Sequence, residues 1–414
     1  MIATLKRGKF PLKNILLNIG GSKSESNRML VLQAQFPNIT IHNISDSDDT
    51  VALQNGLKVS EGNVDVHHAG TAMRFLTAYF SAKPNTEIVL TGSQRMQERP
   101  IGILVGALKS LGADIEYLKN AGFPPLKIKG RAIQKSKVVI QASVSSQYIS
   151  ALMLVAPMLP NGLQITLEGK TTSVPYIEMT LALLKKVGIQ GNFDGNVISV
   201  ASTPKIENTT ITIESDWSSA SYFYSLAALS ENMEISLGSY SEESLQGDAA
   251  LVQIYASLGV ETTFNANEKT ITLSKKNIEL PDSLMLDLAN TPDLAQTIAV
   301  SCFGLGIGCN LTGLHTLKIK ETDRLVALKN ELEKLGARVK VDDDSLQLEN
   351  AGDINPNVEI ETYQDHRMAM AFAPLAVKTN LAIKNAAVIS KSYPHFWADL
   401  EKLGISCEMH ETAD

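Results

Sequence analysis

Cysteine is scarce in this chain, whose 414 residues include only Cys302, Cys309 and Cys407. Their spacing fits neither a zinc site nor a disulfide framework, the two usual structural uses of cysteine. So few thiols are typical of a protein from a reducing compartment. We therefore expect a cytoplasmic protein without disulfides, and no other motif indicates a bound metal.

Long apolar runs are also missing. The most apolar stretch, LAQTIAVSCFGLGIGCNLTGL, is interrupted by Gln296, Ser301, Asn310 and several glycines. A membrane-spanning helix needs about 20 consecutive apolar residues, so this stretch predicts a buried helix followed by a strand. The first 20 residues lack the apolar segment of a secretory signal peptide. The sequence therefore predicts no membrane partner.

Positive charge is in deficit, with 37 Lys and Arg against 44 Asp and Glu and a net charge of −7. A nucleic-acid-binding protein of this size is usually basic, so we expect no nucleic-acid partner. Basic residues nevertheless concentrate in short motifs. GSKSESNR places Lys23 and Arg28 at the start of a helical pattern, where the helix dipole makes added positive charge costly. A small polyanionic ligand in front of the helix would offset that cost.

One phrase recurs along the chain: a helical end, a glycine and the start of a strand, as in LKSLGADI and LEKLGARV. A glycine just past the last turn is the usual C-terminal signal of a helix. The copies are about 70 residues apart, which indicates a repeat architecture. The glycines are Gly112, Gly188, Gly259, Gly336 and Gly404, with Gly56 marking a weaker copy.

A second helix start precedes each of these helical ends, at small or polar residues. The starts are Ser24, Thr71, Ser146, Ser219, Pro292 and His366. Together the two patterns predict six copies of a helix–strand–loop–helix–strand repeat. Six repeats exceed what one hydrophobic core holds, so we expect two lobes of three repeats. Residues 21–215 would form the first lobe, and residues 1–20 with 216–414 the second.

The segment LKIKETDRLVALKNELEKLGA predicts a helix with an apolar face of leucines. Lys320 and Arg324 would be like charges one turn apart on that helix, which weakens an isolated helix. In one interpretation, Glu321 and Asp323 balance them in a solvated first turn. In the other, Lys320 and Arg324 bind an anion and Glu321 transfers protons. The pattern leaves both interpretations open.

Further helix starts carry charged residues. Asp293 follows Pro292 in the first turn of one helix, and Asp365 caps the helix of DHRMAM, so both also suit the helix dipole. Arg74 stands among small and apolar neighbours in AGTAMRFL, and a buried arginine requires an anion. Hydroxyl and amide groups in SSQY and TTSVPY suit a hydroxylated ligand. If all these helix starts converge on one cleft, eight cations line it: Lys23, Arg28, Arg74, Arg99, Lys320, Arg324, Arg367 and Lys391.

Nine blocks resemble, in order, the signature motifs of the 5-enolpyruvylshikimate-3-phosphate synthase family. They are GSKSESNR, AGTAMR, RMQERPIG, SSQY, SDWSSASYF, TPD, KETDRL, DHRMAM and KSYPHF. The resemblance implies an α/β fold of two lobes, each with three βαβαββ repeats whose helix N-termini point toward an interlobe cleft.

The resemblance also implies an activity. Members of this family transfer the enolpyruvyl group of phosphoenolpyruvate to the 5-hydroxyl of shikimate 3-phosphate and release phosphate, on the route to chorismate and the aromatic amino acids. No metal or organic cofactor is implied, and the only partners are the two small-molecule substrates. We expect a monomer. Glyphosate, a phosphonate, would compete with phosphoenolpyruvate.

The resemblance assigns roles to particular residues, with the first lobe on the shikimate 3-phosphate side and the second on the phosphoenolpyruvate side. Proton transfer is assigned to Glu321 and Asp293, assisted by Lys23, because a carboxylate flanked by cations can act as both acid and base. Shikimate 3-phosphate would be bound by Lys23, Ser24, Arg28, Ser145, Ser146, Gln147, Ser173, Tyr176, Asp293, Thr316 and Lys320. Phosphoenolpyruvate would be bound by Lys23, Gly70, Arg74, Arg99, Gln147, Arg324, Arg367 and Lys391.

Three positions depart from the family pattern. His68 and Thr316 stand where asparagine is frequent or expected, and Phe75 stands where proline is common. An enolpyruvyl transferase with another acceptor, such as UDP-N-acetylglucosamine, is an alternative, although that family typically has a cysteine on a first-lobe loop and this chain has none there. A non-catalytic polyanion-binding protein of the same fold, or an enzyme of related fold acting on nucleic-acid ends, is a second alternative.

Overall fold

A computed structural model of the chain describes residues 1–8, 15–141, 145–169, 174–350 and 352–411. The chain divides into two compact units. We call Gly21–Ile213 the N-terminal lobe, and Met1–Gly20 with Glu214–Asp414 the C-terminal lobe. The second boundary predicted from the sequence lies two residues later, after residue 215.

The strands are short, as expected for small repeated sheets. In chain order they are β1 (Ile2–Arg7), β2 (Ile15–Leu17), β3 (Ile39–His42), β4 (Glu61–Asp65), β5 (Glu87–Thr91), β6 (Asp114–Tyr117), β7 (Leu126–Lys129), β8 (Lys137–Gln141), β9 (Leu163–Glu168), β10 (Gly191–Asp194), β11 (Val197–Val200), β12 (Thr209–Thr212), β13 (Glu234–Gly238), β14 (Val260–Asn265), β15 (Thr270–Lys275), β16 (Ser283–Asp287), β17 (Gly308–Thr312), β18 (Val339–Val341), β19 (Leu346–Leu348), β20 (Val358–Ile360), β21 (Leu381–Lys384) and β22 (Ile405–His410).

The α-helices alternate with these strands. They are α1 (Lys23–Gln35), α2 (Asp48–Leu57), α3 (Gly70–Ala82), α4 (Gln94–Gln97), α5 (Gly102–Leu111), α6 (Ser146–Val155), α7 (Val174–Lys186), α8 (Trp217–Leu229), α9 (Leu251–Ala256), α10 (Ala295–Leu305), α11 (Arg324–Lys334), α12 (His366–Phe372) and α13 (Phe396–Lys402). Short 3₁₀ helices cover Ala156–Met158, Gly247–Ala250, Pro292–Leu294, His315–Ile319, Ala373–Val377 and Ala386–Lys391.

The sheets confirm the predicted α/β fold class. The N-terminal lobe holds two four-stranded sheets, ordered β4-β5-β7-β6 and β10-β11-β9-β8, and a pair β12-β3. The C-terminal lobe holds three four-stranded sheets, ordered β14-β15-β13-β2, β16-β17-β19-β18 and β20-β21-β1-β22. Each four-stranded sheet combines one parallel pair with antiparallel neighbours, which is the pattern that a βαβαββ repeat produces.

The first repeat departs from the others. Its sheet consists of the parallel strands β3 and β12, and β12 comes from the far end of the same lobe. Helix α2 ends at Leu57 and β4 of the next repeat begins at Glu61, so the connection is too short for a hairpin. Gly56 accordingly does not end a helix. It lies inside α2, where an added Cβ would stand 2.5 Å from a methyl carbon of Leu76, so the weaker sixth copy was wrong.

The other five glycines confirm the helix-end prediction. Each follows its helix with positive φ, between +79° and +107°. A side chain at these positions would meet the steric penalty of left-handed backbone, which glycine avoids. The repeat spacing therefore reports real helix ends.

The core of the C-terminal lobe is built around α8 and α10, which are apolar or small on nearly every face. Ser221 and Ser225 of α8 hydrogen-bond to Thr297 and Ser301 of α10, so polar atoms between the two helices are satisfied. The stretch that looked most apolar forms α10 and β17, as predicted. Among the described residues, none of the helices combines the length and apolar character that a membrane crossing requires.

Candidate active site

The predicted site residues are divided between the two lobes. In the C-terminal lobe they form what we call the carboxylate–arginine network, made of Asp293, Glu321, Arg324, Asp365 and Arg367. In the N-terminal lobe they surround three arginines, Arg28, Arg74 and Arg99. Ser173, assigned to shikimate 3-phosphate by resemblance, lies outside the described residues.

Arg324 is the centre of the network. It is the first residue of α11, and only 2 % of its side chain is exposed. Its Nε donates to Asp365 at 2.6 Å, Nη1 to Asp293 at 2.8 Å and Nη2 to Glu321 at 2.8 Å. Burial lowers the pKa of Arg324, but the three carboxylates outweigh burial and raise it above the usual value.

The predicted like-charge pair on one helix is wrong. Asp323 caps α11 by accepting from the backbone N–H groups of Leu325 and Val326, so the helix begins only at Arg324. Lys320 precedes it in non-helical backbone and lies 3.6 Å from Asp293. The interpretation of a solvated first turn is also wrong, because Arg324 is buried. The leucine pattern could not show this, since it is compatible with either helix start.

Asp293 lies in the 3₁₀ turn Pro292–Leu294 that leads into α10. Its carboxylate pairs with Arg324, with Arg367 at 3.0 Å and with Lys320. Burial raises the pKa of Asp293, but Arg367, Lys320 and Arg324 together hold it well below the usual range. Asp293 is therefore ionised, and any group that draws these cations away would make it a stronger base.

Arg367 and Lys391 complete the cationic side of this cluster. Asp365 caps α12, as predicted, by accepting from the backbone N–H of Arg367. Lys391 ends the 3₁₀ helix Ala386–Lys391 and donates to the backbone carbonyl of Gln364 at 2.7 Å. Thr316 lies in another 3₁₀ helix, and its buried hydroxyl has no hydrogen-bond partner among the described residues.

Asp248 is a neighbour of the network that the motifs did not indicate. Its carboxylate accepts from the Ser218 hydroxyl, and Ser218 also accepts from Arg367. Burial, followed by repulsion from Asp293, raises the pKa of Asp248 to about 6. Asp248 lies in the 3₁₀ helix Gly247–Ala250, which carries no catalytic motif, and only the packing of that helix against α8 places it here.

The pH dependence of stability follows from this shift. Between its ordinary pKa of 3.8 and about 6, Asp248 binds a proton in the folded protein but not in the unfolded chain, so its contribution is favourable at low pH and lost as pH rises through 6. We expect Asp248→Asn to raise stability at pH 8 by up to about 3 kcal/mol and to change it little at pH 4. Thermal unfolding at both pH values measures this.

Asp342→Asn is the matched control. Asp342 is exposed, and hydrogen bonds from the Asp344 backbone and from Ser345 lower its pKa. Its substitution should therefore reduce stability at pH 8, the opposite sign. An equal loss of stability at both pH values in Asp248→Asn would contradict this prediction. It would show that the hydrogen bond to the carboxylate stabilises the fold more than the buried charge destabilises it.

In the N-terminal lobe, Arg28 extends from α1 and donates to neutral oxygen atoms. Its Nε donates to the Thr180 hydroxyl at 2.8 Å, Nη2 to the Ser150 hydroxyl at 2.9 Å and Nη1 to the Ser24 carbonyl. The guanidinium also stacks over the rings of Phe75 and Tyr176, at 5.6 and 5.7 Å from their centroids. Burial lowers the pKa of Arg28 to about 10, so it stays cationic at neutral pH.

Arg74 and Arg99 meet at Gly70, the first residue of α3. A Cβ on Gly70 would stand 2.8 Å from Nη1 of Arg99 and 3.2 Å from Nη1 of Arg74. Arg74 is buried, as predicted, and donates to the Gly70 carbonyl at 2.9 Å. Burial and then the charge of Arg99 lower the pKa of Arg74 to about 10. Two adjacent like charges of this kind are stabilised by a bound anion.

The other residues assigned in this lobe lie at helix starts. Lys23 begins α1 and lies 3.6 Å from Asp49, a carboxylate that the motifs missed and that also accepts from the backbone N–H of Ala72. Ser145 caps α6, Ser146 is its first residue, and the Gln147 amide donates to the Thr71 hydroxyl at 3.4 Å. The described part of the chain holds no group of three His, Cys, Asp or Glu residues suited to a metal ion.

Solved structures share this repeated α/β architecture. The chain superposes on the EPSP synthase of Acinetobacter baumannii with a TM-score of 0.78 at 21 % identity, covering 99 % of this chain and all of that one.

Sequence comparison narrows the class to one family. The family model described as EPSP synthase (3-phosphoshikimate 1-carboxyvinyltransferase) matches residues 52–400. A 3-phosphoshikimate 1-carboxyvinyltransferase of Bacteroides fragilis is 44 % identical over 95 % of this chain and 96 % of its own length. One from Histophilus somni is 35 % identical over 94 % and 96 %. The chain therefore belongs to the EPSP synthase family, which confirms the resemblance read from its motifs.

Proposed function

We propose that this chain transfers the enolpyruvyl group of phosphoenolpyruvate to the 5-hydroxyl of shikimate 3-phosphate and releases phosphate. One contrast between the lobes supports this most. Among the described residues, no carboxylate forms an ion pair with Arg28, Arg74 or Arg99, whereas Arg324 is held by three carboxylates. The N-terminal lobe thus offers cations to anionic substrates, and the C-terminal lobe offers carboxylates beside cations for proton transfer.

Shikimate 3-phosphate is bound mainly through groups of the N-terminal lobe. A guanidinium has five N–H donors, and three of those of Arg28 donate to described residues. Within that part of the chain, one donor is left on each terminal nitrogen. Two such donors match a carboxylate or phosphate. The further binding groups in this proposal are Lys23, Ser24, Ser145, Ser146, Gln147, Ser173 and Tyr176, with Asp293, Thr316 and Lys320 of the C-terminal lobe.

Phosphoenolpyruvate is bound by the remaining cations. Arg74 and Arg99 hold an anion at Gly70, where the absence of a side chain leaves both guanidinium groups close to the backbone. Arg324, Arg367 and Lys391 are the cations of the C-terminal lobe, with Lys23 and Gln147 as further contacts. When the two substrates bind Lys320 and Arg367, they weaken the interaction of these cations with Asp293 and raise the basicity of its carboxylate.

The chemistry then proceeds by addition and elimination. The 5-hydroxyl oxygen bonds to C2 of phosphoenolpyruvate while its proton goes to Asp293, and the electron pair of the double bond takes a proton from Glu321 at the methylene carbon. The resulting tetrahedral intermediate loses phosphate by cleavage of the bond between C2 and the phosphate oxygen. Glu321 removes a proton from the methyl group, which restores the double bond. The arginines stabilise the charge on the departing phosphate.

The decisive experiment is phosphate release by the purified protein. We expect release when phosphoenolpyruvate and shikimate 3-phosphate are both present, and none with either alone. Turnover with UDP-N-acetylglucosamine in place of shikimate 3-phosphate would favour the alternative acceptor. Binding of both substrates without release under any pairing would favour a non-catalytic polyanion-binding protein.

The same proposal describes a cytoplasmic monomer that needs neither metal nor organic cofactor and binds no nucleic acid. The cysteines Cys302, Cys309 and Cys407 are all buried free thiols, which suits a reducing compartment. Glyphosate competes with phosphoenolpyruvate in this proposal, because both are small anions that Arg99 and Lys391 can bind.

A further inference from the structure

Two residues in front of the DHRMAM motif have left-handed backbone. Tyr363 has φ of +53° and Gln364 has φ of +59°. Such a conformation is strained for a residue with a side chain, and it persists only where neighbouring contacts enforce it. Strained backbone of this kind is concentrated at functional sites. The residues whose contacts enforce it are therefore candidates for a functional role.

Glu331, a buried residue of α11, supplies those contacts. Its Oε1 accepts from the Tyr363 hydroxyl at 2.7 Å, and its Oε2 accepts from the backbone N–H of Glu361 at 3.0 Å. Lys334 donates to the same Oε2 at 2.6 Å, which balances the buried charge. Hydrogen bonds to a charged group are stronger than those between neutral groups, so they can offset the strain at Tyr363 and Gln364.

The segment that Glu331 contacts, residues 361–365, leads directly to Arg367 of the carboxylate–arginine network. Glu331 follows Arg324 by seven residues, so both lie on one face of α11 and both hold residues 361–365, with Arg324 binding Asp365. Between these two anchors, the carbonyl of Gln364 accepts from Lys391 and its side-chain oxygen accepts from Asn385.

We propose that Glu331 and Tyr363 are positioning residues for phosphoenolpyruvate. They touch no substrate. They set the left-handed turn that aims the Gln364 carbonyl at Lys391, and through Asp365 they set the start of α12 that carries Arg367. The inference rests on the proposed function of Lys391 and Arg367.

Tyr363→Phe tests this, because it removes only the hydroxyl. We expect the KM for phosphoenolpyruvate to rise about tenfold, which corresponds to one hydrogen bond to a charged group at 1.4 kcal/mol per factor of ten. The KM for shikimate 3-phosphate should stay within twofold. Glu331→Gln, which weakens both contacts, should raise the same constant at least as much. Phosphate release is measured with each substrate varied while the other is saturating.

Tyr224→Phe is the matched control. The Tyr224 hydroxyl is bonded to Thr262 at 2.8 Å in the same lobe, away from the network. Its loss should lower Tm as Tyr363→Phe does, with both KM values unchanged. An unchanged KM for phosphoenolpyruvate in Tyr363→Phe, or an equal rise in both KM values, would overturn the inference. If the wild type releases no phosphate, the proposed function fails instead, and calorimetric titration of phosphoenolpyruvate into the same variants still decides whether its binding weakens.

Discussion

Glu321→Gln should lower kcat by about a hundredfold or more while the affinity for shikimate 3-phosphate stays nearly intact. The amide keeps the size of the side chain and can still accept from Arg324, which Glu321 contacts at 2.8 Å. It cannot donate a proton to carbon and take it back, and the loss of a general acid or base costs about 100- to 10,000-fold. Single-turnover phosphate release and equilibrium binding of shikimate 3-phosphate measure the two quantities separately.

Glu333→Gln provides the control for Glu321→Gln. It makes the same chemical change on α11, where Glu333 forms an i, i+4 pair with Lys329 near the surface. Exposed pairs of this kind contribute little, so kcat and affinity should both be preserved. A near-normal kcat in Glu321→Gln would remove Glu321 from the proton path.

Arg324→Met should be strongly destabilising as well as inactive. The substitution leaves Asp293, Glu321 and the fully buried Asp365 without their shared cation. Breaking a buried ion pair from one side costs about 3–5 kcal/mol, because an uncompensated charge stays in a low-dielectric environment. Arg324→Lys should rescue only part of this, since one ammonium cannot reach three carboxylates in the positions that the guanidinium occupies. The urea midpoint of unfolding at constant m-value reports the change.

The pH dependence separates charge from packing in this experiment. Without Arg324, the buried carboxylates gain stability by taking up protons, so the deficit of Arg324→Met should shrink as pH falls from 8 to 5. Arg338→Met is the control, because the Arg338 side chain is 85 % exposed and lies 3.7 Å from Glu349. Its effect should stay below about 1 kcal/mol. An equal deficit at both pH values would attribute the loss to packing alone.

The sequence predicted those features that depend on local chemistry. Gly112 and Gly336 end helices because left-handed backbone at a helix terminus selects glycine. Arg74 is buried because its helix has no polar face on which to place it. Asp365 caps α12 because a short carboxylate reaches the free N–H groups of the first turn.

The predictions that failed concern features that depend on competition between local signals or on long-range packing. The predicted start of α11 was too early. The helical pattern extends back past Arg324, but Asp323 caps the helix, so α11 begins at Arg324. Asp49 and Asp248 were missed because each meets its partner only after separate elements pack together. Asp49 of α2 lies beside Lys23 of α1, and Asp248 lies beside Ser218 of α8. The left-handed turn at Tyr363 could not be predicted from the sequence, because neither Tyr nor Gln is typical of such backbone. The residue that enforces the turn, Glu331, lies some 30 positions earlier in the chain.

The pairing of β1 has a consequence for biosynthesis. Residues Ile2–Arg7 are hydrogen-bonded to β21 on one side and to β22 on the other, so β1 pairs with two strands that are made long after it. At about 5–20 residues per second, some 400 residues take roughly 20–80 seconds to translate. The N-terminal lobe, Gly21–Ile213, is complete about halfway through that interval. The nascent C-terminal lobe, by contrast, carries β1 with two unpaired edges until β21 and β22 have been made, and such edges can pair with other chains. In the cell, this interval is when the protein most needs protection by chaperones.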